Sequence, residues 1–282
     1  VTLSLNEYQG PHDQNSWRRG NLVKSDNRIM MNFTEYSDGF SQYVQALDFN
    51  GNLIGGSNGT DVDPSGGVQP YSDICEMNNN FYVAFTNVVG GYGIDLQKFN
   101  GSGVALWSSP VNIADGSAPI GDPNFGDNYV RKIIADEANN NVVIIYETSS
   151  FLGAKLSVAF VDGNSGEIQS VSSWCSDCSF PQYEAHAMGD NELIVTFRKS
   201  GSLASGVYTQ VFALNGQMME SDEGLVISDE ANDQRNSDIA YNSVYDEYLV
   251  CWDDSRDISS AGWACGDSST GANYSSEAEC IA

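Results

Sequence analysis

An all-β fold of repeated units is what this sequence predicts, on three observations. A short apolar run ends in an aromatic residue five times along the chain, at Phe33, Phe85, Tyr146, Phe197 and Trp252, spaced by 52, 61, 51 and 55 residues. Each run is followed by a second strand-like run and, in four of the five units, by Asn-Gly or Asp-Gly, a hairpin signal. No long amphipathic helical pattern interrupts them, and the chain carries 28 glycines. Self-similarity at such a period is the mark of stacked or radial supersecondary units.

The elements of each unit follow in order. The opening runs are Asn21 to Lys24, Ser72 to Cys75, Arg131 to Ile134, Tyr183 to His186 and Ser237 to Ala240. The aromatic-ended runs come second: Ile29 to Phe33, Phe81 to Phe85, Val142 to Tyr146, Leu193 to Phe197 and Tyr248 to Trp252. Third are Tyr43 to Phe49, Ile94 to Phe99, Leu156 to Val161, Tyr208 to Leu214 and the degenerate Gly262 to Asp267. The type I′ turn expected after four of these needs positive φ at both central residues. Closing runs are Val111 to Ile113, Val171 to Trp174, Leu225 to Ser228 and the weak Gly59 to Val62. Four antiparallel strands per unit is the plan of a propeller blade.

The prediction is therefore a five-bladed β-propeller of four-stranded antiparallel blades over residues 1–267. Blades of WD40 length, roughly 40–45 residues, do not fit the spacing. The fifth unit lacks a closing run, and Val1 to Leu5 resembles one. The N-terminal strand is expected to complete the last blade and seal the ring, removing exposed edges. Residues 268–282 read as a polar, Cys-containing tail. A start at Val1 suggests a processed mature form.

Bulk charge narrows the partners. The net charge of −26, with only 12 basic residues, excludes nucleic acid, which needs a basic footprint. It also disfavours an anionic membrane surface, and no apolar stretch approaches the ~20 residues of a spanning helix. Six cysteines, Cys75, Cys175, Cys178, Cys251, Cys265 and Cys280, are compatible with three disulfides. Cys251 and Cys265 fall on adjacent strands, Cys280 is an alternative partner for Cys265, and Cys175 with Cys178 fits a small local bridge. Two histidines, His12 and His186, leave a zinc reading of that CxxC unsupported. Four sequons, at Asn32, Asn58, Asn100 and Asn273, point to a secreted or cell-surface glycoprotein. Asn32 lies inside a strand and is the one least suited to modification.

Candidate chemistry is sparse. Asp73, Glu184 and Asp238 occupy similar places in three opening strands, which line the central funnel of a propeller. Carboxylates converging there are the acid and base of glycoside hydrolysis. This layout resembles the five-bladed glycoside hydrolases, which keep acidic residues on inner strands. Asp61 with Asp63, and Asp122 with Asp127, form partial calcium loops; the first has Ser72 where an EF-hand needs an acid. No other cofactor is indicated. Trp252-Asp253-Asp254-Ser255-Arg256 resembles the W-x-D-x-R step of secreted bacterial-type propeller repeats, preceded as there by Tyr248-Leu249-Val250-Cys251. That resemblance implies the fold and an extracellular setting. Neither a sialidase Asp box nor a phosphate loop occurs.

The repeats share core and turn residues while their polar residues diverge. The functional expectation is accordingly a non-enzymatic extracellular structural or binding module, suited to be the subunit of a larger cell-surface or filamentous assembly and pairing with its own copies or with extracellular protein or glycan. A glycoside hydrolase using the funnel carboxylates, or a monomeric lectin, is the alternative.

Overall fold

The computed structural model describes residues 21–35, 41–56, 58–64, 71–88, 91–116, 126–150, 153–175, 179–200, 205–229, 234–254, 264–267 and 272–274. All regular structure among them is β. The strands are β1 (Asn21–Lys24), β2 (Ile29–Glu35), β3 (Ser41–Leu47), β4 (Leu53–Ile54), β5 (Thr60–Asp61), β6 (Ser72–Met77), β7 (Asn80–Asn87), β8 (Gly93–Asn100), β9 (Val111–Ala114), β10 (Gly126–Asp136) and β11 (Asn141–Ser150). They continue with β12 (Gly153–Asp162), β13 (Ile168–Trp174), β14 (Ser179–Met188), β15 (Glu192–Ser200), β16 (Ser205–Ala213), β17 (Leu225–Ser228), β18 (Gln234–Asn242), β19 (Glu247–Asp254), β20 (Ala264–Asp267) and β21 (Ala272–Tyr274).

These strands make sheets in strict chain order. Four are four-stranded: β6 to β9, β10 to β13, β14 to β17 and β18 to β21. The first sheet runs β1 to β4, with β5 also pairing to β3. Every ladder among the described residues is antiparallel, as hairpin-connected neighbours must be. The chain divides into two compact units, one of residues 1–151 with 159–169, the other of residues 152–158 with 170–282.

The aromatic-ended strands are central in their sheets, which explains their unbroken apolarity. In β7, Phe81, Tyr82, Val83, Ala84 and Phe85 are all buried, and β11 buries Val142 to Tyr146. A strand covered on both faces reads as a continuous run rather than an alternation. In the first unit, Met30, Val44, Ile74, Phe81, Val83 and Phe85 form one cluster. Tyr82, Ala84, Leu96, Ile133, Val142 and Ile144 form another. In the second unit, Trp174 packs edge-on against Phe197 and Phe212 at 6.1 and 5.0 Å. Nearby, Trp252, Val250, Ile239 and Val207 make a separate cluster.

Two expectations are corrected. The Asn-Gly and Asp-Gly pairs do not form two-residue I′ turns. Gly51 N donates to Asp48 O at 3.0 Å, Asp48 N to Asn52 O at 3.0 Å, and Gly51 takes φ 81°. That is a turn closed by a left-handed glycine bulge. Gly103 (φ 76°) and Gly216 (φ 83°) repeat it after Asn100 and Ala213. In two of these turns the leading side chain is the organising group. Asp48 Oδ1 accepts from Asn50 N and Asn52 N, and Asn100 Oδ1 from Ser102 N and Val104 N. The two-residue turn with positive φ at both positions is instead Asn78 (54°) and Asn79 (59°), joining β6 to β7.

The second correction concerns the last sheet. Its fourth strand is β21, from the supposed strandless tail, with Cys265 opposite Tyr274 and Asp267 opposite Ala272. Three residues are too few for a visible alternation, so the pattern hid the strand. Val1 to Leu5 lies outside the described residues.

Candidate functional site on the opening strands

The ladders put the opening strands in a common register. The residue just before each aromatic faces Asn21, Asp73, Lys132, Ala185 and Asp238 in turn, through the pairs Asn21 with Asn32, Asp73 with Ala84, Lys132 with Ile145, Ala185 with Thr196 and Asp238 with Cys251. Two of the three expected carboxylates therefore share a position. Glu184 does not: it sits in the β-bulge between Tyr183 and Ala185, and its side chain lies outside the described residues. Arg131 occupies the equivalent bulge of β10, between Val130 and Lys132. An inserted residue moves the sequence register by one, which hides the common rung in the sequence.

In the first unit these positions touch. Strand β6 packs against both β1 and β10. Asn21 Nδ2 donates to Asp73 Oδ1 at 2.7 Å. Lys132 Nζ lies 3.2 Å from Asp73 Oδ2, which also accepts from Ile133 N at 3.0 Å. The Asp73 side chain is 6% exposed and that of Lys132 38%. Asp73 is thus a buried charge held by an amide, a backbone N–H and a cation, as burial of a carboxylate requires. Beside it, Arg131 Nε donates to Glu147 at 3.0 Å and its NH2 group pairs with the same carboxylate.

Asp238 has a different setting. It is exposed, and its Oδ1 accepts from its own neighbour's N–H, that of Ile239, at 2.9 Å. It stands opposite Cys251, whose thiol is pushed up by partial burial and then by the Asp238 charge. The sequence missed Asn21 and Lys132, because neither is acidic; only the ladder shows that they share the Asp73 row.

At the other end of the same strands lies a polar cleft of about 360 Å³, lined by Lys24, Asp26, Glu76, Asn79 and Glu137 among others. Desolvation raises the Glu76 carboxyl above its ordinary value, against the hydrogen bond from Asn79 N, with Glu137 and Asp26 adding to the rise.

Asp61 Oδ1 accepts from Asp63 N at 2.9 Å. Buried Asp63 accepts from Asn87, whose amide also donates to Asp95 at 2.7 Å; Asn112 donates to Asp95 at 3.0 Å. Among the described residues no group of three or more acidic, His or Cys side chains is arranged to hold an ion. Asp122 and the side chain of Asp127 lie outside the described residues, as do Cys178, Cys280 and the side chains of Cys265 and Asn273.

The expectation of three disulfides is corrected. Cys75 is a buried thiol on β6, raised well above its ordinary value by burial and by the charge of Asp73. Among the described residues, the core cluster around it holds no second cysteine. Cys175 is disulfide-bonded, and Cys251 stands opposite Cys265 in the ladder. Among the sequons, Asn58 is exposed and Asn100 is half-buried in its turn. Asn32 is fully buried, bonded through its side chain to Asn21 N and Ser72 Oγ, which leaves no room for a glycan.

No family model matches the chain, and no curated protein does. Solved structures do. An ulvan lyase of a new polysaccharide lyase family, PL25, aligns over 93% of this chain and 69% of its own, with 9% identity and a TM-score of 0.60. A thermostable family-43 glycoside hydrolase aligns over 90% of both chains, at 13% identity and a TM-score of 0.44. An exo-1,5-α-L-arabinanase from a bovine ruminal metagenomic library aligns over 93% of this chain and 99% of its own, at 13% identity and a TM-score of 0.42.

This is a propeller-type fold. The expectation of a non-enzymatic structural or filament-forming module is corrected: the solved structure that shares the fold at a TM-score of 0.60 carries the name of a polysaccharide lyase, which stands with the glycan-cleaving alternative. Unlike polar residues in the repeats do not imply the lack of a site. A single reaction centre needs different groups on different strands, so divergence is what it requires.

Proposed function

We propose that the chain is an extracellular glycoside hydrolase acting on a neutral polysaccharide, built as a closed ring of five blades. The observation that supports it is the charged row on the opening strands of the first unit, Asn21, Asp73 and Lys132 in contact. Within that unit, Asp73 is a positioning residue. Both its oxygens are taken, so it serves as a fixed negative charge that orients Lys132 and Asn21. Within the second unit, exposed Asp238 is the carboxylate proposed to meet substrate, with the sequence candidate Glu184 as the second acid. One protonates the leaving glycosidic oxygen while the other, as carboxylate, activates water or attacks the anomeric carbon.

The net charge of −26 favours a neutral glycan over a polyanion. Neutral sugars lack the uronate carboxylate that β-elimination needs, so hydrolysis is the reaction class. A lyase reading has one observation on its side: partly exposed Lys132 is a cation that a uronate carboxylate would seek.

The test is incubation with soluble xylan, arabinan and ulvan, following new reducing ends and the ultraviolet absorbance of unsaturated ends separately. Hydrolysis of xylan or arabinan without that absorbance is expected, with Asp238→Asn slowed by about 100-fold or more. Asp238→Asn turning over at the wild-type rate would refute the assignment. Unsaturated ends released from ulvan would replace hydrolysis with elimination.

A further inference from the structure

Two rungs from the Asp73 and Lys132 pair lies a second pair of matched side chains. Thr86 N donates to Tyr71 O at 2.8 Å, extending the β6 ladder by one residue, while Asp73 faces Ala84. Tyr71 and Asp73 are therefore two positions apart on one strand and point to the same face. On β10, Tyr129 faces Glu147 and Lys132 faces Ile145, again two rungs apart once the bulge at Arg131 is allowed for. The rings of Tyr71 and Tyr129 meet edge to face, with centroids 4.8 Å apart and planes at 72°. A third ring, Tyr92, sits 5.9 Å from Tyr129.

All three tyrosines are partly exposed and none is in a core cluster of the described residues. Their backbones are nonetheless fixed. Buried Asn128 donates from N and from Nδ2 to Tyr92 O, at 3.1 and 2.8 Å, and accepts from Thr148 Oγ1 at 2.7 Å. Fully buried Thr86 donates to Asn128 O at 3.1 Å, tying β7 to β10 beside Tyr129. Four elements thus hold a tyrosine cluster rigidly at a partly wet surface. Rigid, amphipathic rings with few torsions to freeze are cheap binding groups.

We infer that Tyr71, Tyr92 and Tyr129 form a stacking subsite for a neutral sugar unit, about 7 Å along the strands from the Asp73 row. The C–H-rich face of a pyranose or furanose ring carries partial positive charge and lies against the electron-rich face of an aromatic ring. The phenol hydroxyls at the ring edge are suited to sugar hydroxyls. This inference rests on the reading of the chain as a neutral-glycan enzyme and gives the first unit a place to hold a sugar unit beside the Asp73 row.

Affinity electrophoresis in gels containing xylan, arabinan or ulvan tests it, using the Asp238→Asn background so that turnover does not consume the probe. Retardation by xylan or arabinan is expected. Tyr129→Leu should weaken it about three- to tenfold, while Tyr129→Phe stays within about twofold, because the ring and not the hydroxyl supplies the stack. Thermal midpoints of both variants within a few degrees of the parent show that the sheet is intact; Tyr71→Leu repeats the comparison on a second strand. Leucine variants binding as tightly as their parent overturn the subsite. So does a phenylalanine variant as weak as leucine, or retardation by ulvan alone. Tyrosine-dependent binding to xylan or arabinan without hydrolysis by the wild type would leave the subsite standing and remove only the enzyme reading.

Discussion

Replacing Asp73 by Asn tests the charged row at its centre. The side chain keeps its size, but one oxygen becomes a donor. Asp73 accepts from three donors: Asn21 Nδ2 at 2.7 Å, Ile133 N at 3.0 Å and Lys132 Nζ at 3.2 Å. Whichever way the new amide is turned, its NH2 group faces a donor. Hydrogen bonds to a charged group contribute roughly 1.5–3 kcal/mol, and a buried donor left without an acceptor costs about 1–3 kcal/mol. With Lys132 partly exposed, its share of the ion pair is only about 0–1 kcal/mol. Asp73→Asn should therefore destabilise the protein by about 3 kcal/mol, and Lys132→Met by about 1 kcal/mol or less. Urea denaturation followed by tryptophan fluorescence gives both numbers from one set of curves. If Asp73→Asn stays within about 1 kcal/mol of the wild type, the buried-acceptor account is wrong. If Lys132→Met costs as much as Asp73→Asn, the lysine and not the backbone anchors the carboxylate.

Two further outcomes follow from groups shifted by burial. Desolvation raises the Asp95 carboxyl above its ordinary 3.8, against the hydrogen bonds from Asn87 and Asn112. A raised carboxyl favours the protonated form in the folded state, so its contribution is full below 3.8 and fades as pH climbs through the raised value. The melting temperature of the wild type relative to Asp95→Asn should then fall as pH rises across that window; a difference that does not change with pH would refute the assignment. Buried Cys75, with its thiol pushed up, should resist iodoacetamide at neutral pH in the native protein and react once urea unfolds it. Peptide mass mapping decides, and native alkylation at Cys75 would show that β6 is open to solvent.

The sheet plan was legible in the sequence because central strands must be apolar on both faces. The runs around Phe85 and Tyr146 carry that signal, and each lies in the interior of its sheet. Strand ends were less legible. Strand β10 begins at Gly126, five residues before the Arg131 run, since its outer half carries Asp127, Asn128 and Tyr129 in place of apolar residues. Asn-Gly announced turns but not their type, because the left-handed position falls on the glycine that closes a bulge. Only one side of the site could be read. Asp73 and Asp238 stood out as acids between apolar neighbours. Their partners Asn21 and Lys132 look like ordinary surface residues until the ladder aligns them, and the bulges at Arg131 and Glu184 displaced that alignment by a residue.

Strand β21 has a consequence for how the molecule is made. With this strand in the fourth place of the last sheet, every sheet among the described residues draws its strands from one continuous stretch of chain. Pairings that close short loops form early, whereas distant ones must wait for costly loop closure. Each sheet can therefore zip up as its own stretch leaves the ribosome, at about 5–20 residues per second, without waiting for a segment from the opposite end of the protein. Nascent-chain lengths that end just after Ala114 or Ser228 should already protect a finished sheet from protease, making synthesis of this acidic chain a sequence of small, local folding events.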